Sequence, residues 1–421
     1  MKTARNKTHL PAPKPPPAGE LDARILDFIA RGVERRSTDA EFDALALALF
    51  RHQFALNLPY RRYCESLDRN PRNVAHWTEI TAVPTTAFKE AELTTLPPQQ
   101  RTAVFHSSGT TEQRPSRHFH STATLVLYET ALWPMFQSRT GILPVQSLTT
   151  GKRDRRDACP TLIILTPTPA EAPHSSLVHM METVRRRLGA PPSAFVGAAA
   201  LEDGRALAAK LRSTLHAPCS TPPALILGTA FAFVRLLDAI AAAPRRERGL
   251  QLPPGSRVME TGGYKGRTRE VPREELYALI SAKLGVPRPA IISEYGMCEL
   301  SSQFYAGGEV WSPGFSRSAG AHGQQTGLPA EAGTPNQPRG VAGSGLFHGP
   351  PWTRVQVINP ETGREARNGE RGLIRVFDLA NRASAIAIQT EDVGVRCGDG
   401  FELAGRAPQA EARGCSLMVA S

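Results

Sequence analysis

Several features are missing from this 421-residue sequence, and each absence excludes a class of protein. No run approaches eighteen consecutive apolar residues, which argues against a membrane-spanning helix. The six cysteines never stand at CxxC or CxxH spacing, which argues against a zinc site and against a secreted disulfide framework. Residues 1–20 are basic and proline-rich and lack the apolar centre of a secretory signal, so we expect a cytoplasmic protein.

Aromatic residues are also scarce, at 6% of the chain, although the formal net charge is +11. A strongly basic chain raises the possibility of nucleic-acid binding, which favours basic patches with interleaved aromatic side chains. Here the basic clusters contain no aromatic residue, as at 152–156, 185–187 and 245–248. We therefore predict no nucleic-acid partner, and nucleic-acid binding is the least favoured of the functions considered. The charge suits attraction of an anionic nucleotide and a carboxylate equally well.

A hydroxyl-rich stretch follows the short apolar run 103–105, and it consists of Ser107, Ser108, Gly109, Thr110 and Thr111. Glycine lets the backbone approach an anion closely, and successive N–H groups and hydroxyls donate to phosphate oxygens. The pattern indicates a phosphate-binding loop. Taken alone, it is more typical of a polar turn after a strand.

Alternating helical and buried-strand patterns predict an α/β fold with a largely parallel sheet. Strands are expected at 162–165, 224–229 and 290–293, each followed by a loop or helix. We predict the following divisions: a disordered leader at 1–19, a main domain at 20–405 with probable insert loops at 138–160 and 314–345 and a β-rich subdomain at 350–405, and a short tail at 406–421. Ligands are expected where the parallel strands end.

Four further segments follow the hydroxyl-rich stretch in a fixed order: residues 260–267 (ETGGYKGR), 293–299 (SEYGMCE), 389–392 (QTED) and 405–406 (GR). The series resembles the adenylate-forming superfamily of acyl-CoA ligases, luciferases and peptide-synthetase adenylation domains. Residues 83–90 (VPTTAFKE), 378–382 (DLANR) and the tail 405–417 are similar to the acyl-protein synthetase, or LuxE-type, branch. The resemblance implies an adenylate-forming large domain with a β-rich closing subdomain and a curtailed C-terminal domain.

The resemblance also implies the chemistry, namely ATP-dependent, AMP-forming activation of a carboxylic acid, expected to be a fatty acid, with transfer of the acyl group to a protein thiol. ATP and Mg²⁺ are the implied cofactors, and an acyl reductase or other acyl-accepting protein is an implied partner. The implied roles are as follows: Ser107, Ser108, Gly109, Thr110 and Thr111 bind phosphates, Gly262, Gly263, Tyr295 and Gly296 bind adenine, Asp392 binds the ribose, Arg406 contacts ribose or phosphates, Glu299 binds magnesium, and Cys415 accepts the acyl group.

Three departures from the superfamily pattern bear on these roles. The glycine and lysine that usually follow the phosphate loop are missing, and Arg114 or Arg117 is the candidate replacement, since guanidinium groups suit phosphate oxygens. Cys298 stands where a threonine is usual, and a thiol is a weak hydrogen-bond donor. Only fifteen residues follow Arg406 in this sequence, so we expect the small C-terminal domain with its lysine to be incomplete.

Two other functions stay open. A phenylacetate-type acyl-CoA ligase shares the hydroxyl-rich loop and the Tyr295–Gly296 segment, but it needs a coenzyme A site and normally a complete C-terminal domain. A non-catalytic nucleotide-binding protein is favoured by Cys298 and by the two inserts. Acid-dependent pyrophosphate exchange distinguishes the enzymes from the non-catalytic protein.

Overall fold

The computed structural model describes the chain at residues 15–35, 38–107, 114–142, 161–215, 222–244, 249–263, 269–308 and 345–407. The described helices are Ala18–Ala30 (α1), Asp39–Leu56 (α2), Leu58–Ser66 (α3), Ala87–Glu90 (α4), Thr122–Thr140 (α5), Ser176–Arg187 (α6), Ala198–Glu202 (α7), Gly204–Leu215 (α8), Ala230–Ala242 (α9) and Arg273–Leu284 (α10). The described strands are Val83–Pro84 (β1), Ala103–His106 (β2), Arg117–His120 (β3), Thr161–Leu165 (β4), Ala224–Thr229 (β5), Arg257–Thr261 (β6), Ile291–Tyr295 (β7), Phe304–Gly307 (β8), Leu346–Phe347 (β9), Thr353–Ile358 (β10), Arg371–Asp378 (β11), Ala387–Cys397 (β12) and Gly400–Arg406 (β13).

A mostly parallel sheet forms the first half of the fold, in the order β4-β5-β6-β7-β8, with only β8 antiparallel to its neighbour. The strands are apolar on both sides because helices cover both faces, as in other parallel sheets. Two apolar clusters reflect this arrangement: one includes side chains of α8, α9 and α10, and the other includes side chains of α5 and α6. The predicted α/β class with a largely parallel sheet is confirmed.

Most strands of the second sheet follow the first sheet in sequence, and they lie in the order β10-β11-β12-β13-β9. The early strand β1 joins this sheet by pairing in parallel with β12. The central pairs are antiparallel, as predicted for the β-rich region. Helices α1 and α2 contribute to the same apolar cluster as β11 and β12. The strand β12, with 11 residues, is longer than the short strands expected there.

The hydroxyl-rich stretch lies between β2 and β3, which form a separate antiparallel pair. Ser121 caps α5, which runs to Thr140 and ends at Gly141, a residue in the left-handed conformation with φ 64°. Residues 138–140 therefore belong to this helix, which corrects the expected start of the first insert. The remainder of that insert from 143, the second insert up to 344, the leader to 14 and the tail from 408 lie outside the described residues.

Among the described residues, no helix has both the length and the hydropathy needed to cross a membrane.

Candidate active site

The predicted site residues that the structure describes come from both sheets and from the loop that joins β7 to β8. Tyr295 is the last residue of β7, and its hydroxyl donates to Asp392 Oδ2 at 2.8 Å. Arg406, at the end of β13, donates from Nε to Asp392 Oδ1 at 3.1 Å. Residues that are 97 positions apart in sequence are thus joined directly, because β12 brings Asp392 to the carboxyl end of β7.

The ring of Tyr295 lies in an aromatic cluster with Phe304, Phe347 and Phe401, at centroid distances between 5.4 and 6.2 Å. Burial raises the pKa of the Tyr295 phenol well above its ordinary value, so the group is a hydrogen-bond donor at neutral pH. Adenine stacking on this ring stays a prediction.

Glu299 is buried, and hydrogen bonds from Ser116 and Cys298 reach its carboxylate. Burial raises the pKa of this group, while those hydrogen bonds and the positive charge of Lys89 oppose the rise. A pair of hydrogen bonds fixes Ser116 to Ser107: the Ser107 N–H donates to the Ser116 carbonyl at 3.2 Å, and the Ser116 N–H donates to Ser107 Oγ at 2.9 Å. The two ends of the hydroxyl-rich loop therefore meet beside Glu299.

Of the five predicted phosphate-binding residues, Ser107 is described, whereas Ser108, Gly109, Thr110 and Thr111 lie outside the described residues, as does Cys415. The two arginines considered as replacements for the missing lysine differ in their surroundings. Arg117 Nη1 donates to Glu92 Oε1 at 3.1 Å, and Arg114 is exposed.

The two glycines after β6 have backbones that suit a close ligand. A Cβ added at Gly262 would meet no atom of the described residues within 4 Å, and Gly263 has φ 102°, a conformation that favours glycine. At Gly296 a Cβ would lie 2.6 Å from Glu294 Oε1, so a larger residue there would require that carboxyl group to shift.

A buried polar network holds the loop between β7 and β8, and the sequence analysis assigned no role to its residues. Asp378 accepts from the Ser301 N–H at 2.9 Å, from the Ser302 hydroxyl at 2.8 Å and from the Ala380 N–H at 3.0 Å. Asn381 Nδ2 donates to the Glu299 carbonyl at 2.8 Å. Residues 378–382 therefore position the loop that carries Glu299, and the resemblance at this segment (DLANR) was the available signal in the sequence.

Two further polar contacts connect this network to other elements. Gln53 Nε2 donates to the Asn381 carbonyl at 2.8 Å, and its Oε1 accepts from the Ile386 N–H at 2.8 Å. His118 Nδ1 lies 2.7 Å from the Cys298 carbonyl, and burial lowers the pKa of this imidazole to about 4, so the ring is neutral and its Nδ1–H is the donor.

We expect Asp378→Ala to lower the free energy of unfolding by at least about 3 kcal/mol, because each buried donor left without an acceptor costs about 1–3 kcal/mol. Urea denaturation measures the change. The matched control is Asp399→Ala, since the Asp399 side chain is 77% exposed and exposed ion pairs contribute little. Equal stability losses in the two variants would contradict the role given to Asp378.

The ionisation of Glu294 makes the stability of the folded protein depend on pH. Burial raises the pKa of this carboxyl group from 4.5 to about 7, against the opposing hydrogen bond from Thr261. The unfolded chain loses this proton near pH 4.5 and the folded chain near pH 7, so the folded state binds more protons between those values. The contribution of Glu294 to stability is present at low pH and is lost as the pH rises through that window.

The free energy of unfolding of the wild type is expected to fall between pH 5 and pH 8. In Glu294→Gln we expect this fall to be smaller by up to about 3 kcal/mol, because an amide does not ionise. Urea denaturation of the wild type and the variant at both pH values gives the difference. Identical losses in the two proteins would show that Glu294 ionises at its ordinary pKa.

The described residues contain no group of three or more His, Cys, Asp or Glu side chains arranged to hold a metal ion. A single buried carboxylate fits magnesium, which proteins commonly bind through one or two carboxylates together with substrate phosphates. Glu299 therefore suits a magnesium ion that reaches the site with a nucleotide.

No protein-family model matches the sequence, and no curated protein matches it. Solved structures of a 2-hydroxyisobutyryl-CoA ligase are similar in fold. The open conformation with 2-HIB-AMP and CoA has 15% identity and a TM-score of 0.56, over 96% of this chain and 77% of the ligase chain. The postadenylation state with R3-HIB-AMP has 14% identity and a TM-score of 0.56, over 94% and 73%. The thioesterification state has 16% identity and a TM-score of 0.55, over 96% and 75%. The chain thus has the adenylate-forming ligase fold.

Proposed function

We propose that this protein catalyses ATP-dependent, AMP-forming activation of a carboxylic acid and transfers the acyl group to a thiol. In the first step a carboxylate oxygen attacks the α-phosphorus of ATP, the bond to the β-phosphate oxygen breaks, and pyrophosphate leaves. In the second step a thiolate attacks the carbonyl carbon of the acyl adenylate, the bond to the AMP oxygen breaks, and AMP leaves. Both steps depend on positioning and on neutralising phosphate charge.

The observation that supports this proposal is the convergence of separate sequence segments at the carboxyl end of β7. Asp392 contacts Tyr295 and Arg406, while Glu299 lies beside Ser116 at the base of the hydroxyl-rich loop. An acidic side chain suits two ribose hydroxyls, a basic one suits phosphate, and a buried carboxylate suits magnesium. These are the groups that a bound ATP requires.

The proposed roles follow from that arrangement. Asp392 accepts hydrogen bonds from the ribose, which requires its carboxylate to release the Tyr295 hydroxyl or Arg406. Glu299 holds magnesium, which when bound withdraws charge from the triphosphate. Residues 107–111 hold the phosphates, the adenine lies against Tyr295 and the glycines at 262, 263 and 296, and Arg406 contacts ribose or phosphate.

We propose Cys415 as the acyl acceptor, with an acyl reductase or another acyl-accepting protein as the next recipient. The resemblance of the tail 405–417 to acyl-protein synthetases supports this acceptor, and it favours a fatty acyl group. Coenzyme A is the second candidate acceptor, because the similar solved structures include complexes with CoA.

Pyrophosphate exchange into ATP, measured across a panel of carboxylic acids with magnesium, tests the first step. We expect exchange that depends on the acid. A folded protein that binds ATP but gives no exchange with any acid would favour the non-catalytic alternative.

A further inference from the structure

A group of buried polar side chains lies beneath Gly296, on the face of the parallel sheet that carries Glu294. We call it the buried polar cluster, and it consists of His120, Tyr128, Glu294, Gln303 and Tyr305. Each of these residues is 5% exposed or less. Tyr128 is at the centre: Gln303 Nε2 donates to its hydroxyl at 3.3 Å, and the ring of His120 lies 6.1 Å from its ring. Tyr305 pairs with Glu294 across β7 and β8.

Several polar atoms of the cluster have no hydrogen-bond partner within the described part of the chain. They are both ring nitrogens of His120, Oε1 of Gln303 and the hydroxyl of Tyr305. An unpaired buried polar atom costs about 1–3 kcal/mol, and native proteins pair the large majority of such atoms. Four unpaired atoms in one place therefore call for a functional reason.

The opposite face of the same sheet, at β6 and β7, shows a contrast. There Glu260 accepts from the Tyr277 hydroxyl at 2.9 Å and from the Ser293 hydroxyl at 3.2 Å. A buried carboxyl group, a tyrosine and a small hydroxyl residue are thus fully paired on one face of the sheet. Other described residues also have unpaired buried polar atoms, but the cluster brings four of them together beside the proposed nucleotide site.

The cluster borders the loop that carries Glu299. Glu294 Oε1 lies directly under Gly296, as the close approach at that position requires. His118, which contacts the Cys298 carbonyl, has its ring 4.3 Å from the ring of His120. Side chains of the cluster therefore lie one layer behind the residues proposed to bind ATP and magnesium.

We propose that the acid substrate carries a hydroxyl group, and that this hydroxyl binds to the buried polar cluster. The inference rests on the proposed function and narrows its substrate from fatty acids in general to hydroxylated carboxylic acids. Gln303 Oε1 can only accept, whereas the Tyr305 hydroxyl can donate or accept. A substrate hydroxyl also does both, so it can pair with either atom, whereas an alkyl chain leaves both unpaired.

Groups of both charge signs border the cluster. Glu294 belongs to it and affects the ionisation of Tyr305, as does the guanidinium of Arg139. The Nε of Arg139 is buried without a partner among the described residues. A neutral hydroxyl group binds there without the cost of burying a further charge.

Pairs of acids that differ only by a hydroxyl or a methyl group test the proposal in the pyrophosphate-exchange assay. The pairs are 2-hydroxyisobutyrate with pivalate and 3-hydroxybutyrate with isovalerate, and 2-aminoisobutyrate and myristate complete the panel. We expect kcat/KM for at least one hydroxy acid to exceed that for its methyl partner by about 100-fold or more, since sites built to bind a hydroxyl reject analogues that lack it.

Equal or better activity with the methyl partners, with myristate or with the amino acid would overturn the substrate assignment while leaving the proposed function intact. Exchange with no acid at all would remove the proposed function and this inference together.

Tyr305→Phe tests the cluster itself, with Tyr277→Phe as the matched control on the opposite face. We expect Tyr305→Phe to keep the wild-type melting temperature, because it deletes an unpaired hydroxyl, and to reduce the preference for the hydroxy acid at least about tenfold. Tyr277→Phe breaks the bond to Glu260, so we expect it to lose stability and keep the preference. A wild-type preference in Tyr305→Phe would show that the cluster has only a structural role.

Discussion

Glu299→Gln is expected to reduce acid-dependent pyrophosphate exchange by at least about 10³-fold, because an amide keeps the size of the side chain but removes the charge proposed to hold magnesium. The variant is also expected to fold, since the Asn381 contact to this residue uses the backbone carbonyl and not the side chain. Exchange at saturating ATP and ordinary magnesium concentration measures the effect.

The matched control is Glu361→Gln, since Glu361 is an exposed glutamate in the turn after β10. ATP binding by equilibrium dialysis separates a loss of catalysis from a loss of the nucleotide site, and we expect Glu299→Gln to retain weak ATP binding through the remaining contacts. Wild-type exchange rates in Glu299→Gln would remove Glu299 from the site.

Cys415→Ala is expected to retain acid-dependent pyrophosphate exchange and to lose all hydroxylamine-labile label from a radioactive acid. An unperturbed thiol has a pKa near about 8.5 and is a few per cent thiolate at neutral pH, and the neighbouring positive charge of Arg413 raises that fraction. Adenylation does not need the thiol, so the two measurements separate the two steps.

Cys397→Ala serves as the control, because Cys397 is a free and partly exposed cysteine at the end of β12. We expect this variant to label like the wild type. Label that persists in Cys415→Ala, or that maps to Cys397 or Cys298, would show that the tail is not the acceptor. Acid-dependent AMP release that requires added coenzyme A would favour the second candidate acceptor.

The sequence predicted the elements of the parallel sheet well because each strand is a short apolar run followed by a polar loop. Residues 162–165 and 224–229 fall within β4 and β5, and the segment around 290–293 overlaps β7. Because these strands are buried on both faces, their residues do not alternate between apolar and polar. The strands are recognised instead by a continuous run of apolar residues. The end of α5 was predicted less well, since Ser138, Arg139 and Thr140 are polar and yet helical.

The candidate site was predictable only where a motif marked it. Asp392 and Glu299 were identified through the order of segments that resembles a known superfamily. Asp378 lies in the segment 378–382, for which the resemblance implied no role, and the buried polar cluster matches no motif. Their roles come from contacts between residues far apart in sequence. Burial of Gln303 and Tyr305, for instance, depends on how β8 packs and leaves no pattern in the sequence. The roles of Ser108 to Thr111 and Cys415 stay predictions.

The contacts of Gln53 with Asn381 and Ile386 have a consequence for the order of folding. They join residues 328 and 333 positions apart, and the buried pair Asp22–Arg382 spans 360. At a synthesis rate of about 5–20 residues per second, α1 and α2 wait roughly 20–70 s on the ribosome before these partners emerge. During that time their apolar faces, which include Phe42 and Leu49, lack the sheet they will cover. We therefore expect the loop that carries Glu299 to become ordered late, after the two ends of the domain have met. We also expect a nascent chain stopped before β12 to expose an aggregation-prone surface.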